Sequence, residues 1–145
     1  MLIPVLFIAV FALAESEDPG DIDPSACLGL DLTSVFRECG VPSTVFPVRG
    51  SEAWQDDVVF RYGTDYSLFL FRDRVWQVRV WDSGHIAGIG IGDSRESVLG
   101  TLGEPAGETD DSLVFDLPDR GYPVRLRVRF SEDAVSDLYL YRADF

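Results

Sequence analysis

Two stretches of this chain align at a fixed offset of 63 residues, and such a duplication restricts the available folds more than any other feature of the sequence. "LGLDLTSVFRECGVP" (28–42) lines up with "IGIGDSRESVLGTLGEP" (89–105). Gly29 meets Gly92, Val35 meets Val98, Phe36 meets Leu99, Gly40 meets Gly103 and Pro42 meets Pro105. In each copy a residue suited to helix capping, Asp31 or Ser94, follows the first glycine by two positions, an apolar pair follows, and Gly then Pro end the run. This is the start-and-stop pattern of a short amphipathic helix. The second copy also invites comparison with a dinucleotide-binding loop, but that loop requires G-x-G-x-x-G. After Gly90 and Gly92 the third position holds Arg95, and starting from Gly88 it holds Asp93. The glycines therefore read as punctuation around helices.

Strands follow in both halves. "DDVVFRY" (56–62) matches "DSLVFDL" (111–117), and "SLFLFRDRVWQVRVW" (67–81) matches "RLRVRFSEDAVSDLYLY" (125–141). Each of the second pair reads as a hairpin, turning at Asp73-Arg74 or at Ser131-Glu132-Asp133. The expected fold class is α+β: two tandem α-β-β-β repeats, about 27–82 and 89–145, forming one antiparallel sheet with helices on one face. "STVFPVRGSEAW" (43–54) is read as extra residues in the first half, and "WDSGHIAG" joins the halves.

At 145 residues the chain has room for one ordinary domain, residues 27–145, and its apolar content of 46% suffices for a core. The opening segment "MLIPVLFIAVFALA" is apolar throughout, is too short to span a bilayer and ends in Ala12-Leu13-Ala14. Residues 1–14 are read as a secretory signal peptide and residues 15–26 as an acidic N-terminal tail. The expected location is periplasmic or secreted. Two cysteines in such a compartment suggest a Cys27–Cys39 disulfide, with two separate buried thiols as the alternative. If Cys27 lies on an extended lead-in and a helix starts at Asp31, the lead-in covers roughly 13 Å and the helix to Cys39 about 12 Å, so an antiparallel lead-in brings the sulfurs together.

The net charge of −13 argues against nucleic acid and anionic membrane as partners, because phosphate binding needs a basic stripe. All twelve basic residues are arginine, a side chain suited to planar multi-donor contacts. Two cysteines and the single His85 lack metal-ligand spacing. Asp18, Asp21 and Asp23 lack the loop that a calcium site requires. His85 has no nucleophile motif beside it, so a hydrolase that uses it is a remote alternative, and the chain is expected to be neither an enzyme nor a cofactor protein.

The repeated unit of glycine, cap residue, V-x-x-x-[LC]-G-x-P and aromatic-containing strands resembles the small outer-membrane-assembly lipoproteins of SmpA/OmlA type. The tandem arrangement resembles the β-lactamase-inhibitor proteins. The resemblance implies a curved antiparallel sheet, helices on its convex side and a concave side free to bind protein. The chain lacks the lipoproteins' lipid-bearing cysteine, so no stable membrane anchor is expected.

Strand alternation sorts the faces independently of any family. The expected helix side carries Val58, Phe60, Phe69, Phe71, Trp76, Val78, Val80, Phe115, Leu126, Val128, Phe130, Leu138 and Leu140. Leu68, Leu70, Gln77, Asp116 and Asp137 are assigned to the other face with Arg61, Arg79, Trp81, Arg125, Arg127, Arg129, Tyr139 and Tyr141. Those last eight form the candidate protein-binding face, because Arg, Tyr and Trp concentrate binding energy at interfaces. The same composition also suits an ordinary solvated sheet surface. The expected activity is non-enzymatic binding of a protein partner, as an envelope-assembly scaffold or as an inhibitor of a secreted enzyme.

Overall fold

The computed structural model describes residues 23–52 and 56–145, so the expected signal peptide and most of the acidic tail lie outside the described residues. A 3₁₀ turn at Pro24–Cys27 opens the described chain, with the Asp23 side chain accepting from the Ser25 N–H. Pro24 and Cys27 are buried, so the last residues assigned to the tail belong to the folded body. Asp23 is thereby occupied as a cap.

Two short helices follow the glycines as expected. Helix α1 spans Leu32–Glu38, with Asp31 accepting from the Ser34 N–H at 2.8 Å. Helix α2 spans Arg95–Leu102, with Ser94 accepting from the Ser97 N–H at 3.1 Å. Each cap satisfies one of the orphan donors at its helix start. The Gly90 N–H, which a phosphate cradle would aim at a ligand, donates instead to Asp93 at 2.9 Å.

The rest of the described chain is mostly strand. The strands are β1 (Thr44–Val48), β2 (Asp57–Tyr62), β3 (Tyr66–Phe71), β4 (Arg74–Val80), β5 (His85–Ile86), β6 (Ile89–Gly90), β7 (Gly107–Glu108), β8 (Ser112–Leu117), β9 (Val124–Ser131) and β10 (Ala134–Arg142). Eight of them form one sheet in the order β1-β2-β3-β4-β10-β9-β8-β7, with every pair antiparallel. β5 and β6 form a separate two-stranded hairpin.

This architecture overturns the expected helix-packed α+β fold of two α-β-β-β repeats. The protein is mostly β: one large antiparallel sheet with two short helices. The residues read as an insertion, 43–54, contain the edge strand β1, and Gly107–Glu108 adds β7 at the opposite edge. The helices have seven and eight residues, about 11–12 Å each, too short to form a covering layer. Each contributes one fully buried residue, Val35 or Val98. The core is closed instead by Leu28, the two cysteines and the β5–β6 hairpin through Ile86 and Ile89. The 63-residue correspondence thus describes two capped helices and does not partition the fold.

Cys27 and Cys39 are bonded, with both residues buried and their Cα atoms 6.6 Å apart. The lead-in is a 3₁₀ turn, not the extended segment expected. Cys39 caps the C-terminus of α1, so the bond ties the helix end to the turn that precedes it.

Cross-strand register decides the faces. One row on the core side runs Phe60–Leu68–Val78–Leu140–Leu126–Phe115, all buried. Leu68 and Leu70 therefore belong to the core, and Phe69 and Phe71 point the other way, which reverses the assignment for β3. The run "SLFLF" is apolar on both faces, so alternation alone carried no marker of direction. Trp76 is the extra residue of a β-bulge, since Phe69 pairs with Gln77 while Leu70 pairs with Val75. Its indole N–H donates to Asp57 at 3.0 Å, away from its expected place in the core. A second bulge leaves Ser136 unpaired and turns Val135 inward. Val58 lies on the core side but remains 44% exposed, whereas Val59 on the opposite face is 1% exposed beside Phe46 and Phe69. Phe130 is half-buried, with the Arg95 guanidinium 4.6 Å above its ring.

The two matched glycines differ in surroundings, which gives a first test. Both have positive φ, +83° at Gly29 and +91° at Gly92, where an L side chain is strained. A methyl at Gly92 meets open space, but one at Gly29 would collide with the Tyr122 hydroxyl, which donates to the Leu28 carbonyl at 3.0 Å. Gly92→Ala is expected to cost about 1 kcal/mol and Gly29→Ala about 2–4 kcal/mol. Urea unfolding of the two variants checks the order; equal losses would contradict the Tyr122 packing.

Candidate functional site

The side of the sheet opposite the core carries all eight residues of the expected binding face. Both helices contact the core side, α1 through the Phe36–Phe60 ring pair and α2 through Arg95 on Phe130. Among the described residues no helix lies over the other side, called here the open face. One register row crosses all eight strands: Thr44, Arg61, Ser67, Arg79, Tyr139, Arg127, Val114 and Gly107. The neighbouring row is Phe46, Val59, Phe69, Gln77, Tyr141, Arg125 and Asp116. Arg129 lies one step further along β9, opposite Ser112 and Asp137. Trp81, just beyond β4, reaches the same surface.

Rings and guanidinium groups alternate along this face. Arg61 and Arg79 each lie 5.3 Å from the Trp81 ring centre. Arg79 is also 5.3 Å from Tyr139, and Arg127 sits 5.4 Å from Tyr139 and 5.8 Å from Tyr141. Arg61 further contacts Phe46 at 5.4 Å. Each such contact stabilises an exposed cation by roughly 0.5–1 kcal/mol, so their main effect is to fix side-chain positions. Ser67 lies in the row between the first two arginines and is buried.

The three arginines of β9 do not simply repel one another. Arg125 donates to Asp116 at 2.8 Å, and Arg129 donates to Asp111 at 2.8 Å. The Arg129 hydrogen bonds hold the Asp111 carboxyl below its ordinary range. Arg79 donates to Asp137 at 2.6 Å in the least exposed of the three pairs. Arg61 and Arg127, near the two ends of the row, have no carboxylate partner among the described residues. Sequence reasoning placed acidic neighbours at Asp116 and Asp137 but missed Asp111, which lies in the turn before β8 and enters only through its pairing with Arg129.

A second aromatic group, at the end of the sheet, joins Phe71 and Trp76, which alternation assigns to the helix side, to Phe145, which the sequence reading does not single out. Phe145 stacks on Trp76 with ring centres 6.4 Å apart and meets Phe71 edge-on. Burial raises the carboxyl pKa of Asp57 beneath the indole, and the Trp76 hydrogen bond offsets part of that rise. The bulge at Trp76 is the reason for its misassignment, because strict alternation cannot anticipate it.

Other candidates stay separate from this face. His85 is exposed on the small β5–β6 hairpin. Among the described residues no cluster of three His, Cys, Asp or Glu side chains could hold a metal ion, and no helix is long and apolar enough to cross a membrane. A depression lined by Asp23, Ile86, Pro118, Arg120 and Leu140 lies off the open face.

No family model and no curated protein sequence matches this chain. Solved structures do. An extracellular protein containing an SCP domain from Bacillus anthracis str. Ames superposes with a TM-score of 0.59 at 12% identity, covering 86% of this chain and 47% of that one. A cysteine-rich secretory protein from Staphylococcus aureus subsp. aureus Mu50 gives 0.53 at 13% identity, covering 82% and 44%. The chain thus spans less than half the length of either protein, and the likeness is one of fold. A provisionally assigned β-lactamase inhibitor protein from Streptococcus mutans gives a TM-score of 0.36 at 12% identity, covering 77% and 82%, too distant to carry an argument. The SmpA/OmlA resemblance finds no support among these matches.

Proposed function

We propose that this protein is a non-enzymatic, extracytoplasmic domain that binds another protein through its open sheet face. The observation that carries the reading is the alternation of rings and guanidinium groups from Arg61 through Trp81, Arg79 and Tyr139 to Arg127 and Tyr141 on a face that no helix covers among the described residues. Arg, Tyr and Trp dominate interface hot spots, and residues held in place beforehand lose little entropy on binding. The Cys27–Cys39 bond and the extracellular or secreted character of the two fold relatives support the compartment.

Photocrosslinking tests the reading. A benzophenone amino acid at Tyr139 in intact cells is expected to capture one protein, identifiable by mass spectrometry, while the same group at Phe36 on the helix side does not capture it. With that protein purified, Trp81→Ala, Arg127→Ala and Tyr139→Ala should each weaken the complex about fivefold or more and leave the fold intact. Capture from Phe36 alone, or affinities unchanged by all three substitutions, would remove the open face as the site.

A further inference from the structure

We infer that the open face recognises a polypeptide through two carboxylates about 19 Å apart, received by Arg61 and Arg127. The inference rests on the protein-binding reading above and names the partner's chemistry. Its basis is the difference in how the open-face arginines are satisfied. Asp137, Asp116 and Asp111 neutralise Arg79, Arg125 and Arg129 at 2.6, 2.8 and 2.8 Å. Among the described residues Arg61 and Arg127 have no carboxylate partner and instead meet rings: Phe46 and Trp81 for one, Tyr139 and Tyr141 for the other. In a chain with 25 acidic residues and a net charge of −13, two exposed cations with no carboxylate partner among the described residues stand out on this face.

The geometry suits reception of an anion. A guanidinium contacting a ring satisfies its flat face, while its five N–H donors lie in its plane and can still form a two-pronged contact with a carboxylate. The two arginines share one register row, Arg61–Ser67–Arg79–Tyr139–Arg127, so four strand steps separate them. At roughly 4.8 Å per step their Cα atoms lie about 19 Å apart, perpendicular to the strands. Between them lie the Trp81 and Tyr139 rings and the already neutral Arg79–Asp137 pair, a stretch suited to uncharged or apolar residues. A nucleic acid or other dense polyanion fits poorly, since two isolated cations cannot offset its repulsion from a strongly acidic protein. Two carboxylates separated by neutral residues fit both the spacing and the overall charge.

Polyproline rulers test the spacing, because that helix rises about 3.1 Å per residue and is stiff over this length. The peptide Asp-(Pro)₅-Asp sets its carboxylates about 19 Å apart, Asp-(Pro)₂-Asp about 9 Å, and Asn-(Pro)₅-Asn carries no side-chain charge. All three, with blocked termini, are titrated into the full-chain protein and followed by the arginine side-chain N–H signals in NMR. The long acidic ruler should bind at least fivefold more tightly than either control and shift the Arg61 and Arg127 signals together. The Arg61→Gln/Arg127→Gln protein, its dispersed spectrum showing an intact fold, should lose that preference. Equal binding of the three rulers, or a preference that survives the double substitution, would overturn the inference. Either failure leaves the protein-binding reading to be decided by the crosslink from Tyr139, so the two are separable.

Discussion

Leu68→Ala is expected to destabilise the protein by about 2–5 kcal/mol, while Phe69→Ala, which removes a larger side chain, should cost only about 1–2 kcal/mol. Leu68 is 0% exposed in the centre of the core row, between Phe60 and Val78, so its loss leaves a cavity that a six-membered row of close-packed side chains cannot fill. Phe69 is half-buried on the open face beside Val59 and Gln77, where neighbouring side chains and water can relax into the gap. Equilibrium urea unfolding of both variants supplies the comparison. If Phe69→Ala proves the more damaging, the register of β3 is inverted and the open face is not the surface described. Phe115→Ala is a companion measurement in the same row and should match or exceed Leu68→Ala, whereas half-buried Phe130 should tolerate truncation better.

Loss of the Cys27–Cys39 bond is expected to cost roughly 2–4 kcal/mol. The sulfurs close a short loop, with a sequence separation of 12 residues, so most of the effect comes from releasing constraint in the unfolded chain. Cys27→Ala/Cys39→Ala and the reduced wild-type protein should show similar drops in urea midpoint, because both remove the same link while leaving the buried positions small. A midpoint insensitive to reductant, or two free thiols in protein isolated under oxidising conditions, would contradict the bond. It would also weaken the assignment of an oxidising compartment.

What is legible in the sequence is local. Asp31 and Ser94 cap the helices that follow them because a short side-chain oxygen is needed there and the glycine two residues earlier permits the left-handed backbone. Strands over β2, β3, β4, β8, β9 and β10 followed from runs of apolar and β-branched residues ending at short turns. Arg79, Trp81, Arg125, Arg127, Arg129, Tyr139 and Tyr141 can be grouped on one face because the stretches of β4, β9 and β10 that carry or lead into them alternate between polar and apolar positions, and Arg61 joins them as the polar residue between Phe60 and Tyr62 on β2.

The remainder depended on tertiary pairing. β3 is apolar on both sides, so only its partners Phe60 and Val78 determine that Leu68 and not Phe69 enters the core. The bulges at Trp76 and Ser136 each insert one residue and reset the alternation, which no period of two can express. β1 and β7 escape a pattern reading because Pro47 interrupts the β-branched run of the first and the second has only two residues, and an edge strand draws its order from the neighbour it pairs with. The helices, correctly placed along the chain, were assigned too large a share of the core, since seven or eight residues bury one side chain each and the disulfide turn and β5–β6 hairpin close the rest. Local chemistry along the chain sets where elements begin, which strands have a polar side and that two cysteines lie within reach of one another. Tertiary structure alone decided how the strands are ordered, and therefore that Arg61 and Arg127 share one row: residues 66 positions apart become aligned only through three intervening strands, whose hydrogen-bonded register is a property of the whole sheet.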